Sequence, residues 1–369
     1  MDRLSPLPIY TFLKIIHKNG GISGKKLKNL IPWLIKTILL EPIRWIELAI
    51  YNRKINRHTI TTDPVFILGF YRSGTSYMHE FLTQDNRFGY HTVFQMIFPD
   101  MMLSCEKWLS PVFEFICRAF NIHDPIHRIP LSFRGPGEDD GTMTTALNPR
   151  GAQWGYFFPK KMIEYFHKYV LFNNIQSSEI EKWKRDYIFL LKKISWANQN
   201  KQLVLKSPPN TARIKLLLSI FPNAKFIFIH RNPYEVYTSN KQFLKVTQAI
   251  YAIGGSSLVD FNSNILDIYS KTMDRYLKEK DLIPQGQLIE LAYKDLIEKP
   301  LACIRKVYGT LQLNDFAYCE NNMTAYAALQ KEYLRLDHQL QPDERARVFA
   351  KLEPFIRHWN YPIQGIKQG

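Results

Sequence analysis

The sequence predicts an α/β fold, a parallel sheet with helices on both faces. Three observations predict it. Short apolar runs recur at Val65–Leu68, Leu203–Leu205, Phe226–Ile229 and Leu288–Leu291, broken only by Glu290. Runs of this length without polar alternation read as strands buried on both faces. Longer segments with helical periodicity separate them, and strands alternating with helices imply parallel pairing.

The elements follow in order. The chain opens on a basic arm, since residues 1–60 carry 11 Lys or Arg against 3 Asp or Glu. Its apolar runs are interrupted by Pro32, Lys36 and Glu41, well short of the ~20 apolar residues that span a bilayer. It also lacks the early apolar stretch and small-residue cleavage site of a secretory signal. Two readings stand. Residues 1–62 form a helical arm packed on a domain that fills 63–369, or their Ile, Leu and Trp among Lys and Arg make a peripheral membrane contact.

Val65–Leu68 ends at Gly69, and a helix begins near Thr75. Residues of about 95–200 are mostly helical and rich in Trp, Tyr and Phe, and read as an insertion forming a lid or acceptor pocket. After Leu203–Leu205 comes a helix over 211–220, with Ile214, Leu217 and Leu218 on one face. Phe226–Ile229 leads to Asn232-Pro233, and Pro suits the first turn of the helix that follows. A long helix over 256–282 precedes the last strand.

With 369 residues, 46% of them apolar and 22% charged, the chain can bury a full core without covalent staples. Its four cysteines, Cys105, Cys117, Cys303 and Cys319, show no C-x-x-C spacing. They read as reduced thiols of a cytoplasmic protein rather than a zinc ribbon or redox motif. Lys and Arg number 49 against 33 Asp and Glu, a net charge of +16. That balance favours anionic partners: nucleic acid, an acidic membrane or phosphorylated ligands. No helix-turn-helix, RNA-recognition or zinc-finger pattern accompanies it, which argues against a nucleic-acid-binding protein.

The chemistry concentrates at the strand ends. The first strand runs into Gly69-Phe70-Tyr71-Arg72-Ser73-Gly74-Thr75-Ser76. A strand, a Gly-containing turn and a helix start place backbone N–H groups around an anion. Gly69 and Gly74 have the spacing of the nucleotide loop G-x-x-x-x-G-K-S/T, but Thr75 stands where the Lys belongs. Phe226–Ile229 ends in His230-Arg231, without the Asp that would serve Mg²⁺ in an NTPase. The loop therefore suits phosphate better than ATP with Mg²⁺. Arg231 ends a strand, and Ser239 follows eight residues later, about two helical turns on. Both motifs belong to the C-terminal rim of the sheet, where ligands bind in open α/β folds. Two cationic loops there fit a nucleotide with phosphates at both ends.

These residues resemble the sulfotransferase superfamily, which uses 3′-phosphoadenosine 5′-phosphosulfate (PAPS), and most closely its bacterial branch. Phe66 to Ser76 looks like the 5′-phosphosulfate loop, usually R-S-G-T-T. Gly135-Pro136-Gly137-Glu138-Asp139-Asp140 looks like the branch's P-x-E-D-E segment. Leu205-Lys206-Ser207-Pro208 through Phe221-Pro222-Asn223-Ala224, then Arg231-Asn232-Pro233 to Ser239, look like the 3′-phosphate region. Tyr293-Lys294-Asp295-Leu296 resembles the late Y-x-D-L motif. The resemblance implies a P-loop-like three-layer fold and transfer of a sulfuryl group to an acceptor. It makes Arg72, Ser73, Gly74, Thr75 and Ser76 binders of the 5′-phosphosulfate, and Arg231 and Ser239 binders of the 3′-phosphate. Lys206 matches a Lys near the transferring group.

Sulfuryl transfer resembles phosphoryl transfer, with in-line attack and charge shifting onto the leaving phosphate. Arg72 and Lys206 suit the cationic role at the bridging oxygen, and no metal is required. An alcohol acceptor also benefits from a base. The branch commonly has His where this chain has Asn210, and related enzymes have Glu near the place of Gln95. Glu138, in an acidic cluster within a Gly- and Pro-rich loop, is the first candidate, though such a carboxylate also reads as a helix cap. His79, one turn beyond Thr75, is the second, and also reads as a packed helix residue. His91 and His127 are weaker.

Phe94, Met96, Phe98, Met101, Met102, Trp108 and Trp154 to Phe158 lie in the insertion. A pocket drawn from them would favour an apolar alcohol, such as a sterol or lipid, over the sugar of a carbohydrate sulfotransferase. Individually most of them also read as ordinary core. A nucleotide or small-molecule kinase is the competing enzyme, disfavoured by the missing Lys.

Overall fold

In the computed structural model, which describes residues 8–21, 31–124, 130–145, 149–253, 259–329 and 340–363, all four apolar runs are strands of one sheet. They are β1 (Val65–Leu68), β3 (Gln202–Lys206), β4 (Lys225–His230) and β5 (Leu288–Ala292). A fifth, β2 (Phe88–Tyr90), has only three residues and includes Gly89, too little pattern to read as a strand. The sheet order is β2-β3-β1-β4-β5. β1 pairs in parallel with both β3 and β4, and β4 with β5.

Helices follow β1, fill most of 95–200 and follow β4 as expected, and four more follow β5 beyond those expected. Before β3 come α1 (Ile9–Lys18), α2 (Ile31–Arg57), α3 (Thr75–Leu82), α4 (Val93–Ile97), α5 (Met102–Ala119), α6 (Asp139–Thr145), α7 (Trp154–Phe157), α8 (Met162–Tyr169) and α9 (Ser177–Ala197). After β3 come α10 (Ile214–Leu218), α11 (Pro233–Tyr251) and α12 (Phe261–Glu279). After β5 come α13 (Tyr293–Glu298), α14 (Pro300–Thr310), α15 (Glu320–Leu329) and α16 (Pro342–His358). The helix expected over 211–220 is split. A 3₁₀ turn, Pro208–Ala212, opens on two prolines at its first positions and leads through Arg213 into α10. Residues 256–258 of the long helix expected before β5 lie outside the described residues.

The chain divides into two compact units. One comprises 63–88, 204–244 and 260–369. Its strands alternate between two apolar faces, as the period of two requires. Val65, Ile67, Val204, Ile227, Ile229 and Leu291 share a core with Met78 and Phe81 of α3 and Ile304 and Val307 of α14. From β1 and β4, Phe66 stacks on Phe226 at 5.7 Å and Phe228 stacks on Tyr276 of α12 at 3.7 Å. A layer of helices on each face is the observed result.

The other unit comprises 1–62, 89–203 and 245–259. Buried ionic contacts organise it. Glu47 of α2, 2% exposed, accepts from Lys193 Nζ of α9 at 2.7 Å and from the N–H groups of Leu103 and Ser104 at the start of α5. A buried carboxylate costs much solvation and persists only with such partners. Trp183 stacks on Tyr187 at 4.6 Å, and Arg150 bridges Asp186 and Glu179. The four cysteines are free thiols.

Candidate active site

The loop after β1 is shaped by two glycines. Gly69 has φ 149° and Gly74 φ 98°, both in the region that favours glycine. A Cβ on Gly69 would meet Ser73 Oγ at 2.6 Å and Ile229 O at 2.7 Å. A Cβ on Gly74 would meet the ring of Tyr293 at 2.3 Å. Gly74 is the N-cap of α3 and offers no side chain to the first N–H groups of that helix. Those groups have no partner inside a helix, so the dipole and the N–H groups together favour an anion there.

Each carbonyl across the bend is tied back. Phe70 O accepts from Ser73 N at 3.2 Å and Ser73 Oγ at 2.7 Å. Tyr71 O accepts from Asn240 Nδ2 at 3.0 Å, and Arg72 O from Arg231 Nη1 at 3.1 Å. Arg72 itself has φ 69°, unusual for a side chain of its size, and these contacts hold it there. Thr211 clamps the loop's entrance: its Oγ1 accepts from Gly69 N at 2.8 Å and donates to Gly69 O at 3.0 Å.

The second cationic group is joined to the first. Arg72 Nε donates to Ser239 Oγ at 3.1 Å. Arg231, at the end of β4, lies 4.4 Å from the centroid of Tyr293 and donates to Glu235 Oε2 at 2.8 Å. Glu235 is half exposed, and exposed ion pairs are worth only about 0–1 kcal/mol, so a phosphate can take its place cheaply. Tyr293, first residue of α13, thus lies against both Gly74 and Arg231. His230 is pushed down to about 4 by burial, so the strand end carries no charged imidazole at neutral pH.

Lys206 ends β3 opposite Ile67 of β1 and is 5% exposed. Asn210, four residues on, is buried, and its Oδ1 accepts from Arg213 Nη1 at 3.0 Å. His79 is fully buried on α3, its Nε2 3.1 Å from Val204 O. All of these belong to the unit that holds the loop.

The acidic cluster belongs to the other unit. Asp139 and Asp140 are buried, accepting respectively from Tyr187 Oη at 2.6 Å and Ala152 N at 3.0 Å. Glu138 precedes α6 and is partly exposed. His91 is buried, 2.9 Å from Thr142 Oγ1, and burial lowers its pKa to about 4. Gln95 forms a capping box with Thr92 at the start of α4 and donates to Glu106 at 2.7 Å. Burial raises the Glu106 pKa. His127 lies outside the described residues. Of the aromatic set, Phe94, Trp154, Phe157 and Phe158 are buried core, whereas Trp108 is 72% exposed.

Thr211, Asn240 and Tyr293 contact the loop, and none of them is read from sequence as a member of the candidate site. Each acts on loop backbone or packing rather than through charge. Only Tyr293 carried a signal, as the first letter of Y-x-D-L.

The profile of the sulfotransferase family matches residues 64–317. The omega-hydroxy-beta-dihydromenaquinone-9 sulfotransferase Stf3 of Mycobacterium bovis is 30% identical over 315 residues, 85% of this chain and 79% of its own. Its Mycobacterium tuberculosis counterpart matches to the same extent. Among solved structures, the sulfotransferase STF9 of Mycobacterium avium superposes with a TM-score of 0.68 at 19% identity, over 87% of this chain and 83% of that one. The sulfotransferase STF1 of Mycobacterium tuberculosis gives 0.64 at 16% identity, over 93% and 90%. These two likenesses establish the P-loop-like fold. The profile begins one residue before β1 and runs past α14, over well more than half of the sequence, and so the chain belongs to the sulfotransferase family.

Proposed function

We propose that this enzyme moves a sulfuryl group from PAPS to the hydroxyl of an apolar lipid. The observation that carries the donor reading is the Arg72–Ser239 contact, which unites the anion loop with the Arg231–Ser239 pair. The loop fits a phosphosulfate: Gly69 and Gly74 let the turn pack against Ser73, Ile229 and Tyr293 where a Cβ would clash, and α3 starts without a side-chain cap. Thr75, Ser76 and the first N–H groups of α3 would hold the 5′ end, with Ser73 bracing the turn. Arg231 and Ser239 would hold the 3′-phosphate. When bound, the donor supplies the sulfuryl group. Arg72 and Lys206 would place positive charge where the leaving phosphate develops its own, a charge-assisted contact stronger in the transition state than before it.

The acceptor reading draws on the relative named for an omega-hydroxy-dihydromenaquinone, an apolar chain with a terminal hydroxyl. Glu138, the member of its acidic cluster left partly exposed, is assigned as the group that orients or deprotonates that hydroxyl. His79, enclosed between α3 and β3, is assigned to packing.

Thermal stabilisation tests the donor half. 3′,5′-ADP without Mg²⁺ should raise Tm, and Arg231→Ala should weaken its binding by roughly 10–100-fold, the loss of a hydrogen bond to a charged group. Stabilisation by ATP with Mg²⁺ instead would favour a kinase.

A further inference from the structure

Helix α2 is built inside out. Most of its buried stripe is polar: Thr37, Arg44 and Glu47 are 0%, 4% and 2% exposed, and only Ile55, near its end, is a buried apolar side chain among the described residues. Arg44 pairs with Glu41 and Asp100, and Glu47 with Lys193 and the start of α5. Its outward stripe is apolar: Ile35, Ile38, Leu39, Trp45, Ile46 and Ile50 are 48–68% exposed. Their spacing keeps them on one helical face. The neighbouring helix α5 does the same. Trp108, Val112, Phe115, Ile116 and its C-cap Phe120 follow helical spacing and are 37–75% exposed. Single exposed apolar residues are ordinary, but two continuous stripes mark an interaction surface.

The charge around these stripes has one sign. The acids of both helices are engaged by protein donors: Glu41 by Arg44, Glu47 as above, Glu106 by Thr92 and Gln95, and Glu114 by Ser132 and Arg134 N. The cations other than the buried Arg44 are exposed: Lys36, Arg53, Lys54 and Arg57 on α2, and Lys107 and Arg118 on α5. Among the described residues no helix is long and apolar enough to cross a membrane.

We propose that α2 and α5 lie on a bilayer that carries anionic lipid, their Ile, Leu, Trp and Phe side chains entering the headgroup boundary and their Lys and Arg meeting the headgroups. Apolar stripes flanked by cations bind such surfaces through buried area plus electrostatic attraction, and aromatic side chains favour that depth. A second copy of the chain would bring the same cations face to face, whereas anionic headgroups offer the complementary charge. This proposal rests on the surface of α2 and α5 alone and not on the donor or acceptor reading.

The test is co-sedimentation of the full chain with vesicles of phosphatidylcholine, with and without phosphatidylglycerol. Binding should be at least about 10-fold stronger to the anionic vesicles and should weaken in high salt. The pairs Trp45→Ser with Ile46→Ser, and Trp108→Ser with Phe115→Ser, should each weaken it by about 10-fold or more. Because these positions are exposed, Tm and circular dichroism should not change. No binding to anionic vesicles, or binding that both pairs leave intact, would overturn the proposal. So would a wild-type dimer that the same substitutions turn into monomer, which would assign the surface to a second copy.

Discussion

Arg72 Nε and Ser239 Oγ, 167 positions apart in the chain, meet at 3.1 Å. Residues that the motifs assign to opposite ends of a nucleotide are therefore directly coupled. Arg231 strengthens the link by donating to Arg72 O. Arg72→Ala and Ser239→Ala should each weaken 3′,5′-ADP binding, and the double variant should lose less than the sum. A coupling of about 0.5–3 kcal/mol is the range for residues in contact. Calorimetric titration of the four proteins measures it, and strict additivity would mean that the contact does not serve the ligand.

Gly74→Ala should damage the loop twice over. The new Cβ meets Tyr293, and φ 98° is a conformation that Ala resists. Stability should fall by about 1–3 kcal/mol, and 3′,5′-ADP should no longer raise Tm. A Gly74→Ala protein with normal Tm and normal ligand response would show that the loop tolerates a side chain there.

The sheet was legible because a buried parallel strand must be apolar along its whole length. Val65–Leu68 and Phe226–Ile229 meet that demand with no competing pattern. Phe88–Tyr90 was not legible, being three residues at the sheet's edge. The anion loop was legible through Gly69, Gly74 and Arg72, since few residue types bend a chain that way or bind phosphate. Thr211 and Asn240 were not, because a hydroxyl or amide that clamps a backbone carbonyl looks in sequence like any polar residue. Which face α2 turns outward stayed open for a related reason. Ile38 and Trp45 read either as packed on the domain or as a membrane contact until Glu47 and Arg44 are seen to occupy the buried side.

Glu138 separates the two kinds of carboxylate in its cluster. Asp140→Asn and Asp139→Asn should cost stability, since both side chains are buried acceptors. Glu138→Gln should keep Tm and 3′,5′-ADP binding yet cut turnover by roughly 10²–10⁴-fold, the usual worth of a general base. An active Glu138→Gln enzyme would remove the assignment, and loss of activity in a well-folded His79→Asn variant would transfer it.

Acid should destabilise the protein before the carboxylates titrate. Burial holds His91 at about 4 in the folded chain, against an ordinary 6.5. Between those values the unfolded chain binds a proton that the folded imidazole refuses, so stability is intact above pH 6.5 and falls as pH drops toward 4. By pH 5 the loss is about 2 kcal/mol for this group. His230 acts in the same direction. Urea midpoints at pH 7 and pH 5 should fall together with pH, and the fall should be smaller in His91→Gln, which keeps a partner for Thr142. An equal fall in both proteins would place the acid sensitivity elsewhere.

Transfer of radiolabelled sulfur from PAPS tests the central claim most directly. The purified enzyme would be given a hydroxylated isoprenoid quinol, a long-chain alcohol, a sterol and a sugar side by side, without added metal. Label should appear on an apolar hydroxyl, and Lys206→Ala should abolish most of the turnover while leaving 3′,5′-ADP binding near normal. Label on the sugar alone would reject the apolar acceptor. Label on none of them, with phosphoryl transfer from ATP in its place, would contradict the sulfuryl-transfer account itself.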